Sequence, residues 1–314
     1  MSPTEHTIAC CMHGFAPTDP SGLPLHEADP QAWAGIFSTL TDLDFTALEI
    51  ADSHIRPADL SPERRSLLKE LSTSAGVELT AVHVQRTSVI DPDHGEANLE
   101  YAHRTIDAAA ELGCQVFSTG LHQPFSQAQR DALWFWTAKG WEDPDDPEIR
   151  SLAVQRLREL GRHAAEVGLP MSLEMYEDTY LGAAESAVRL IEEIGLDNVG
   201  LNPDIGNLIR LHRRIGDWRE MHELTLPYAN YWHMKNYQRD EAGDGSWFTS
   251  HPTTMQNGLI DYRAMVTRAV ELGFNGPFLM EQYGGDSLGV CAENRSYLAG
   301  LLAQVQPTKG TTAP

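Results

Sequence analysis

Apolar runs of strand length alternate with segments whose apolar residues recur at helical spacing, and this alternation repeats eight times along the chain. The strand-like runs fall near 7–13, 46–51, 78–85, 114–119, 170–176, 198–204, 229–235 and 276–282. Helical patterns come after them, as in "ANLEYAHRTIDAAAELG" (97–113) and "DYRAMVTRAVELG" (261–273). Gly76, Gly113, Gly168, Gly195 and Gly273 stand where C-terminal helix caps are expected, just before the next strand. Repeated βα units predict a parallel sheet, and eight of them predict a closed (β/α)8 barrel in one α/β domain over residues 1–305. A doubly wound open sheet is the rival, but no GxGxxG follows the first strand. Residues 306–314, within "QPTKGTTAP", read as a disordered tail.

Three connections are long: 13–30, 121–146 and 236–260. Each follows a strand, so in a barrel all three sit at the C-terminal face, where active sites are built. The second contains "WFWTAKGWEDPDD", with Trp134, Phe135, Trp136 and Trp141 close together. This cluster reads either as a loop packing on its own side chains or as a lid whose rings stack on a sugar.

Composition narrows the function. A net charge of −22 is wrong for nucleic acid or an anionic membrane surface, and no apolar run is long enough to span a bilayer. The start "MSPTEHTIACC" lacks the basic and apolar regions of a secretory signal, so a cytoplasmic location is expected. Cys10, Cys11, Cys114 and Cys291 show no metal-binding spacing and read as reduced, buried thiols.

The chemistry gathers at the ends of strands five to eight. "MSLEMYED" carries Glu174, "VGLNPDIGN" carries Asp204, "YWHMKN" carries His233 and "PFLMEQYGG" carries Glu281. Three buried carboxylates at one height would repel one another, and a divalent cation removes the conflict. Three carboxylates and one imidazole suit Mn²⁺, with Mg²⁺, Co²⁺ and Fe²⁺ as alternatives, better than a thiolate-seeking ion. Such a set leaves positions where vicinal sugar oxygens could chelate.

These residues give the chain a resemblance. It resembles the xylose isomerase-like TIM barrels, the sugar isomerase/epimerase superfamily that also includes the family 2 type of AP endonuclease. The likeness extends from "TIACCMHGF" to "NRSYLAGLL". It implies one metal held by Glu174, Asp204, His233 and Glu281. It also implies that Glu174 and Glu281 act as acid and base on opposite faces of a sugar or keto-sugar, the cation holding the developing enediolate. The His-rich zinc cluster of endonuclease IV is not evident here.

Two departures broaden the expectation. Epimerases of this group commonly carry a histidine shortly after the strand-six aspartate, where this chain has Asn207. "HMKN" resembles the HxKD pattern of inosose dehydratases, which makes Lys235 a candidate acid or clamp on a substrate oxygen. A salt bridge from Lys235 to a ligand carboxylate is the structural alternative. Isomerisation or epimerisation is therefore expected first. Lyase chemistry (dehydration, or β-elimination from a 3-oxo-glycoside as in C-glycoside deglycosidases) comes second. A non-catalytic sugar-binding barrel, or one subunit of a complex, is the reading from another class, and a homo-oligomer or second subunit is possible.

His83, Arg86, His122, Asn207 and Trp136 are candidate substrate contacts at the same mouth. For Arg86 a salt bridge is the competing reading. His13 and His54 read as plain loop residues. Arg210, Arg213 and Arg214 in "LIRLHRRIGDW" read as solvated loop arginines, and without a glycine-rich cradle beside them a non-phosphorylated small-molecule sugar or glycoside is expected.

Overall fold

The structure, a computed structural model, describes residues 6–305. The expected tail at 306–314 lies outside them. In chain order the strands are β1 (Ile8–Cys11), β2 (Ala47–Ala51), β3 (Glu78–His83), β4 (Val116–Thr119), β5 (Met171–Glu174), β6 (Val199–Asn202), β7 (Trp232–Met234), β8 (Asn236–Glu241), β9 (Phe248–Thr253) and β10 (Phe278–Met280). The helices are α1 (Pro30–Asp42), α2 (Pro62–Ser74), α3 (Gly95–Leu112), α4 (Gln127–Asp131), α5 (Pro147–Glu166), α6 (Ala184–Ile194), α7 (Gly206–Ile209), α8 (Trp218–Thr225), α9 (Tyr262–Glu271) and α10 (Ser287–Leu302).

Eight strands form one parallel sheet in the order β6-β5-β4-β3-β2-β1-β10-β7. The seam between β6 and β7 is drawn together by a single parallel bridge, Leu201 with Ala229, and by the His233 amide donating to Asn202 Oδ1 at 2.8 Å. The sheet is thus a nearly closed α/β barrel of the TIM type, as the eightfold alternation predicts.

Local chemistry explains the helices. Asp29, Ser61, Asp146 and Asp261 each accept a backbone N–H at a helix start, and Pro30, Pro62 and Pro147 occupy first-turn positions where no N–H is missed. α6 buries Ala184, Ala187, Leu190, Ile191 and Ile194, one stripe of a 3.6-residue period facing the sheet. At the other end Gly113 and Gly195 close α3 and α6 in the left-handed region, with φ of 83° and 63°. Gly76, Gly168 and Gly273 have positive φ as well.

Two apolar clusters divide the core. The larger packs helices against the outside of the sheet, and the smaller (Ala9, Cys11, Ala47, Ala81, Val116, Tyr231 and Leu279) fills the barrel's inside. Alternation sets the next residue on each inward face. Ala47 is succeeded by Glu49, Ala81 by His83, Tyr231 by His233 and Lys235, and Leu279 by Glu281, all buried. The barrel interior therefore turns from apolar to ionisable towards the carboxyl ends of its strands.

Of the three long connections, 236–260 has secondary structure of its own. It contains the antiparallel hairpin β8–β9, paired from Asn236 with Thr253 to Glu241 with Phe248. The connection 121–146 holds α4 and the 3-10 turn Phe135–Thr137. All four cysteines are free and buried. No described helix is long and apolar enough to cross a membrane.

Candidate active site

The four expected ligand residues come together. Glu174 ends β5, Asp204 lies two residues beyond β6, His233 is the middle residue of β7, and Glu281 directly follows β10. Each offers one donor atom, and the four atoms lie within 4.8 Å of one another in buried surroundings. His233 Nδ1 lies 3.3 Å from both Glu174 Oε1 and Glu281 Oε2 and 3.8 Å from Asp204 Oδ2. Buried Nδ1 has no hydrogen-bond partner among the described residues. An imidazole nitrogen facing three carboxylates fits a divalent cation of the hard or borderline class.

His233 is oriented from behind by Glu49, a residue that the sequence pattern does not single out. Its Nε2 meets Glu49 Oε2 at 2.9 Å, and the Tyr231 hydroxyl donates to the same oxygen at 2.9 Å. Cys11 Sγ lies 3.6 Å from Glu49 Oε1. With Nε2 directed at Glu49, Nδ1 is the nitrogen left to face the cluster, and it would offer a lone pair to a cation that displaced its proton. Burial opposes the charge on Glu49, but the facing histidines and Tyr231 outweigh it and lower its pKa. For His233, burial acts against protonation, and the carboxylates around the ring reverse the shift upwards.

Glu174 is held by three side chains. His83 Nε2 and His122 Nε2 meet Oε2 at 2.8 and 2.9 Å, and Asn207 Nδ2 donates to Oε1 at 3.0 Å. Against the cost of burial, His83, His122 and His233 keep the Glu174 carboxyl well below its usual range. His83 is itself fixed by Ser118 Oγ at 2.9 Å. His122, next in this chain of rings, is pushed down to about 4 by burial, so it is neutral near pH 7. Three of the candidate substrate contacts thus touch a candidate catalytic carboxylate.

Lys235 takes the salt-bridged position. Its Nζ contacts Asp204 Oδ2 and lies 2.7 Å from Glu281 Oε2. Burial alone would discharge this ammonium, but the two carboxylates win and raise its pKa well above the ordinary value. Lys235 and His233 together hold Glu281 well below the usual carboxylate range despite its burial.

Other residues depart from expectation. His13, read as a plain loop residue, places Nδ1 3.8 Å from Glu281 Oε1, because the 3-10 turn Met12–Gly14 keeps it over the barrel mouth. His54 bonds the Phe15 carbonyl at 3.0 Å and agrees with a loop role. Arg210, expected to be solvated, is buried: α7 turns it inward, and Nη1 donates to the Tyr237 hydroxyl at 3.0 Å. Arg213 reaches Asp178, and Arg214 donates to the Gly243 carbonyl, both at the surface. Arg86 has φ of 57°, bonds the Tyr176 hydroxyl and the Gln123 carbonyl, and lies over the Phe125 ring at 3.7 Å. No carboxylate pairs with it among the described residues.

The aromatic segment splits into two roles. Trp136 is fully buried, donates Nε1–H to Ser250 Oγ on the hairpin at 3.0 Å, and packs edge-on against Tyr237 and Tyr283. Trp134 stacks on it at 4.9 Å. Trp141 is 44% exposed and stands apart from this stack.

Residues 37–301 match the xylose isomerase-like TIM barrel family. The chain belongs to that family. A xylose isomerase-like TIM barrel protein from Mycobacterium smegmatis, solved in complex with magnesium, is 40% identical with a TM-score of 0.92, over 97% of this chain and 99% of that one. A xylose isomerase domain protein from Planctomyces limnophilus is 17% identical (TM-score 0.71, 96% and 99% covered). D-psicose 3-epimerase with D-tagatose from Clostridium cellulolyticum H10 is 16% identical (TM-score 0.65, 95% and 99% covered). At those two identities the likeness is one of fold. No curated protein matches this xylose isomerase-like chain.

Proposed function

We propose that this barrel is a divalent-metal-dependent isomerase or epimerase acting on a non-phosphorylated sugar or keto-sugar. The observation that carries the reading is the convergence of Glu174, Asp204, His233 and Glu281 around one buried point. Those four would hold the cation, Mn²⁺ or Mg²⁺, and the magnesium complex of the 40% identical relative supports a hard divalent ion. When bound, such a cation supplies polarisation of a substrate carbonyl, which acidifies the adjacent C–H.

The chain's own residues then handle the proton. Glu174 and Glu281 approach from β5 and β10, so one carboxylate can take a proton from one face while the other, entering the reaction carrying its own proton, delivers one to the opposite face. His83, His122 and Asn207 keep Glu174 in a single orientation. A binding module has little use for two carboxylates held in this way. The epimerase of known name on the same fold supports the substrate class.

A second reading, a lyase, is favoured by one observation. The Lys235 ammonium bonds Glu281 Oε2 at 2.7 Å, so a proton could pass through it to a departing oxygen. Incubation of metal-loaded protein in D₂O with ketoses, inososes and 3-oxo-glycosides tests both. Deuterium uptake without loss of a group supports the isomerase or epimerase, and release of water or an aglycone supports the lyase. Lys235→Met should stall only group departure in a lyase, but slow exchange and turnover together in an epimerase. Absence of exchange with every substrate defeats the catalytic reading.

A further inference from the structure

Arg210 is 1% exposed, and its Nε and Nη2 find no hydrogen-bond partner among the described residues. The nearest carboxylate oxygen, Glu177 Oε1, lies 3.9 Å from Nη2 and is equally unpartnered. A donor and an acceptor buried at this separation are too far apart to satisfy each other. One hydroxyl beside the pair would satisfy both. An oxygen about 2.8 Å from each atom can accept from the guanidinium and donate to the carboxylate.

Both partners are held in place. Gln129 Nε2 donates to the other Glu177 oxygen at 3.2 Å, and Glu177 keeps the left-handed φ of 38°, a conformation that non-glycine residues retain mainly where a site requires it. Ser250 on the hairpin donates to the Arg210 carbonyl at 2.7 Å. The pair also borders the candidate active site. The Tyr283 ring lies 5.4 Å from the Arg210 guanidinium and 5.9 Å from Lys235 Nζ. The Tyr176 ring, 5.8 Å from Arg210, lies 4.4 Å from the ring of His122, whose Nε2 is 2.9 Å from Glu174 Oε2.

We infer that Arg210 and Glu177 form a subsite for one hydroxyl of the substrate, remote from the reacting carbons, and so make the enzyme select a polyhydroxylated ligand over its deoxy counterpart. This rests on the proposed sugar chemistry. A trapped water is the competing occupant, and it would give no such selection.

The test measures calorimetric binding of ketohexoses, inososes and 3-oxo-glucosides, each beside its single-deoxy derivatives, to Mg²⁺-loaded protein. In the wild type, removal of one particular hydroxyl should weaken binding at least about 30-fold, because buried polar groups are left unpaired. In Glu177→Gln and Arg210→Met the parent and that deoxy sugar should differ by less than about threefold. The wild-type comparison stands even if Arg210→Met fails to fold. Equal binding of all deoxy derivatives, no binding of any of these compounds, or undiminished selection in Glu177→Gln overturns the inference. Deuterium exchange in D₂O separates the two readings. Exchange without hydroxyl selection removes the subsite alone, and hydroxyl selection without exchange removes the proposed reaction alone.

Discussion

Replacing Glu49 should weaken metal binding even though Glu49 is not among the four converging ligand residues. Its Oε2 receives two hydrogen bonds of 2.9 Å, from His233 Nε2 and the Tyr231 hydroxyl, at a fully buried position. In Glu49→Gln an amide oxygen in place of Oε2 can still accept from both His233 Nε2 and the Tyr231 hydroxyl. What is lost is charge assistance. A hydrogen bond to a charged group is worth about 1.5–3 kcal/mol and a neutral one about 1 kcal/mol, so the difference is about 0.5–2 kcal/mol. That corresponds to about 2–30-fold in the metal dissociation constant. Glu49→Ala removes the acceptor altogether, frees the imidazole to turn or change tautomer, and should cost about 100-fold. Titration with Mn²⁺ against a competing chelator, read by the Mn²⁺ paramagnetic resonance signal, measures both without any substrate. Wild-type affinity within a factor of about two in both variants, with unchanged circular dichroism, would refute the reasoning.

The same geometry sets further outcomes. His233→Ala should lower metal affinity more than either Glu49 variant, since it removes the imidazole donor and leaves three carboxylates facing one another. Equilibrium dialysis checks this. Trp136→Ala should cost about 3–5 kcal/mol of stability and reduce kcat/KM, while Trp141→Ala should change neither, as chemical denaturation and steady-state kinetics would show. Burial pushes Asp52 up to about 6, against about 3.9 unfolded, so between these values the folded state binds a proton the unfolded chain lacks. Its stabilising contribution is full below about pH 4 and is lost as pH rises through about 6. Asp52→Asn should therefore gain about 1–3 kcal/mol over wild type at pH 8 and nothing at pH 4; thermal melts showing a pH-independent difference would contradict it.

The sequence makes some of this legible and conceals the rest for physical reasons. The helix-capping glycines and the helical periods mark the βα repeats, and three carboxylates and an imidazole at four successive strand ends are visible because strand ends are short and adjacent to polar loops. Glu49 is hidden inside "ALEIA", where a single acid in a wholly buried strand carries no motif. Inward parity is the available signal, since Ala47 and Glu49 share the face that holds the other ionisable groups. Arg210 reads wrongly as solvated because α7 has only four residues, too few for a period to show which side faces inward. The hairpin at 236–253 escapes a pattern search because "NYQRDE" and "FTSHPT" are mostly polar. The sharp turn between them, with Gly245 at φ 75°, does leave a trace in "AGDGS".

The position of Lys235 sets how the candidate metal site can work. Its ammonium bonds Asp204 Oδ2 and Glu281 Oε2, the same oxygens that face His233 Nδ1. A carboxylate has about four lone-pair sites, so one oxygen can serve both an ammonium and a cation. The lysine therefore need not compete with a metal. It joins the ends of β6 and β10, which are not neighbours in the sheet, and fixes two of the candidate ligand carboxylates without an ion. Glu49 does the same for the imidazole on β7, and His83, His122 and Asn207 do it for Glu174 on β5. Each candidate ligand is thus oriented by a buried neighbour of opposite polarity, so binding requires little reorganisation. The same lysine also lowers the proton affinity of Glu281. Of the two candidate proton carriers, both are held ionised, and the difference between them lies in their neighbours: imidazoles and an amide at Glu174, an ammonium at Glu281. That asymmetry gives the two faces of a substrate unequal proton acceptors, with an ammonium proton beside only one of them, and it is the structural ground on which epimerisation and elimination would diverge.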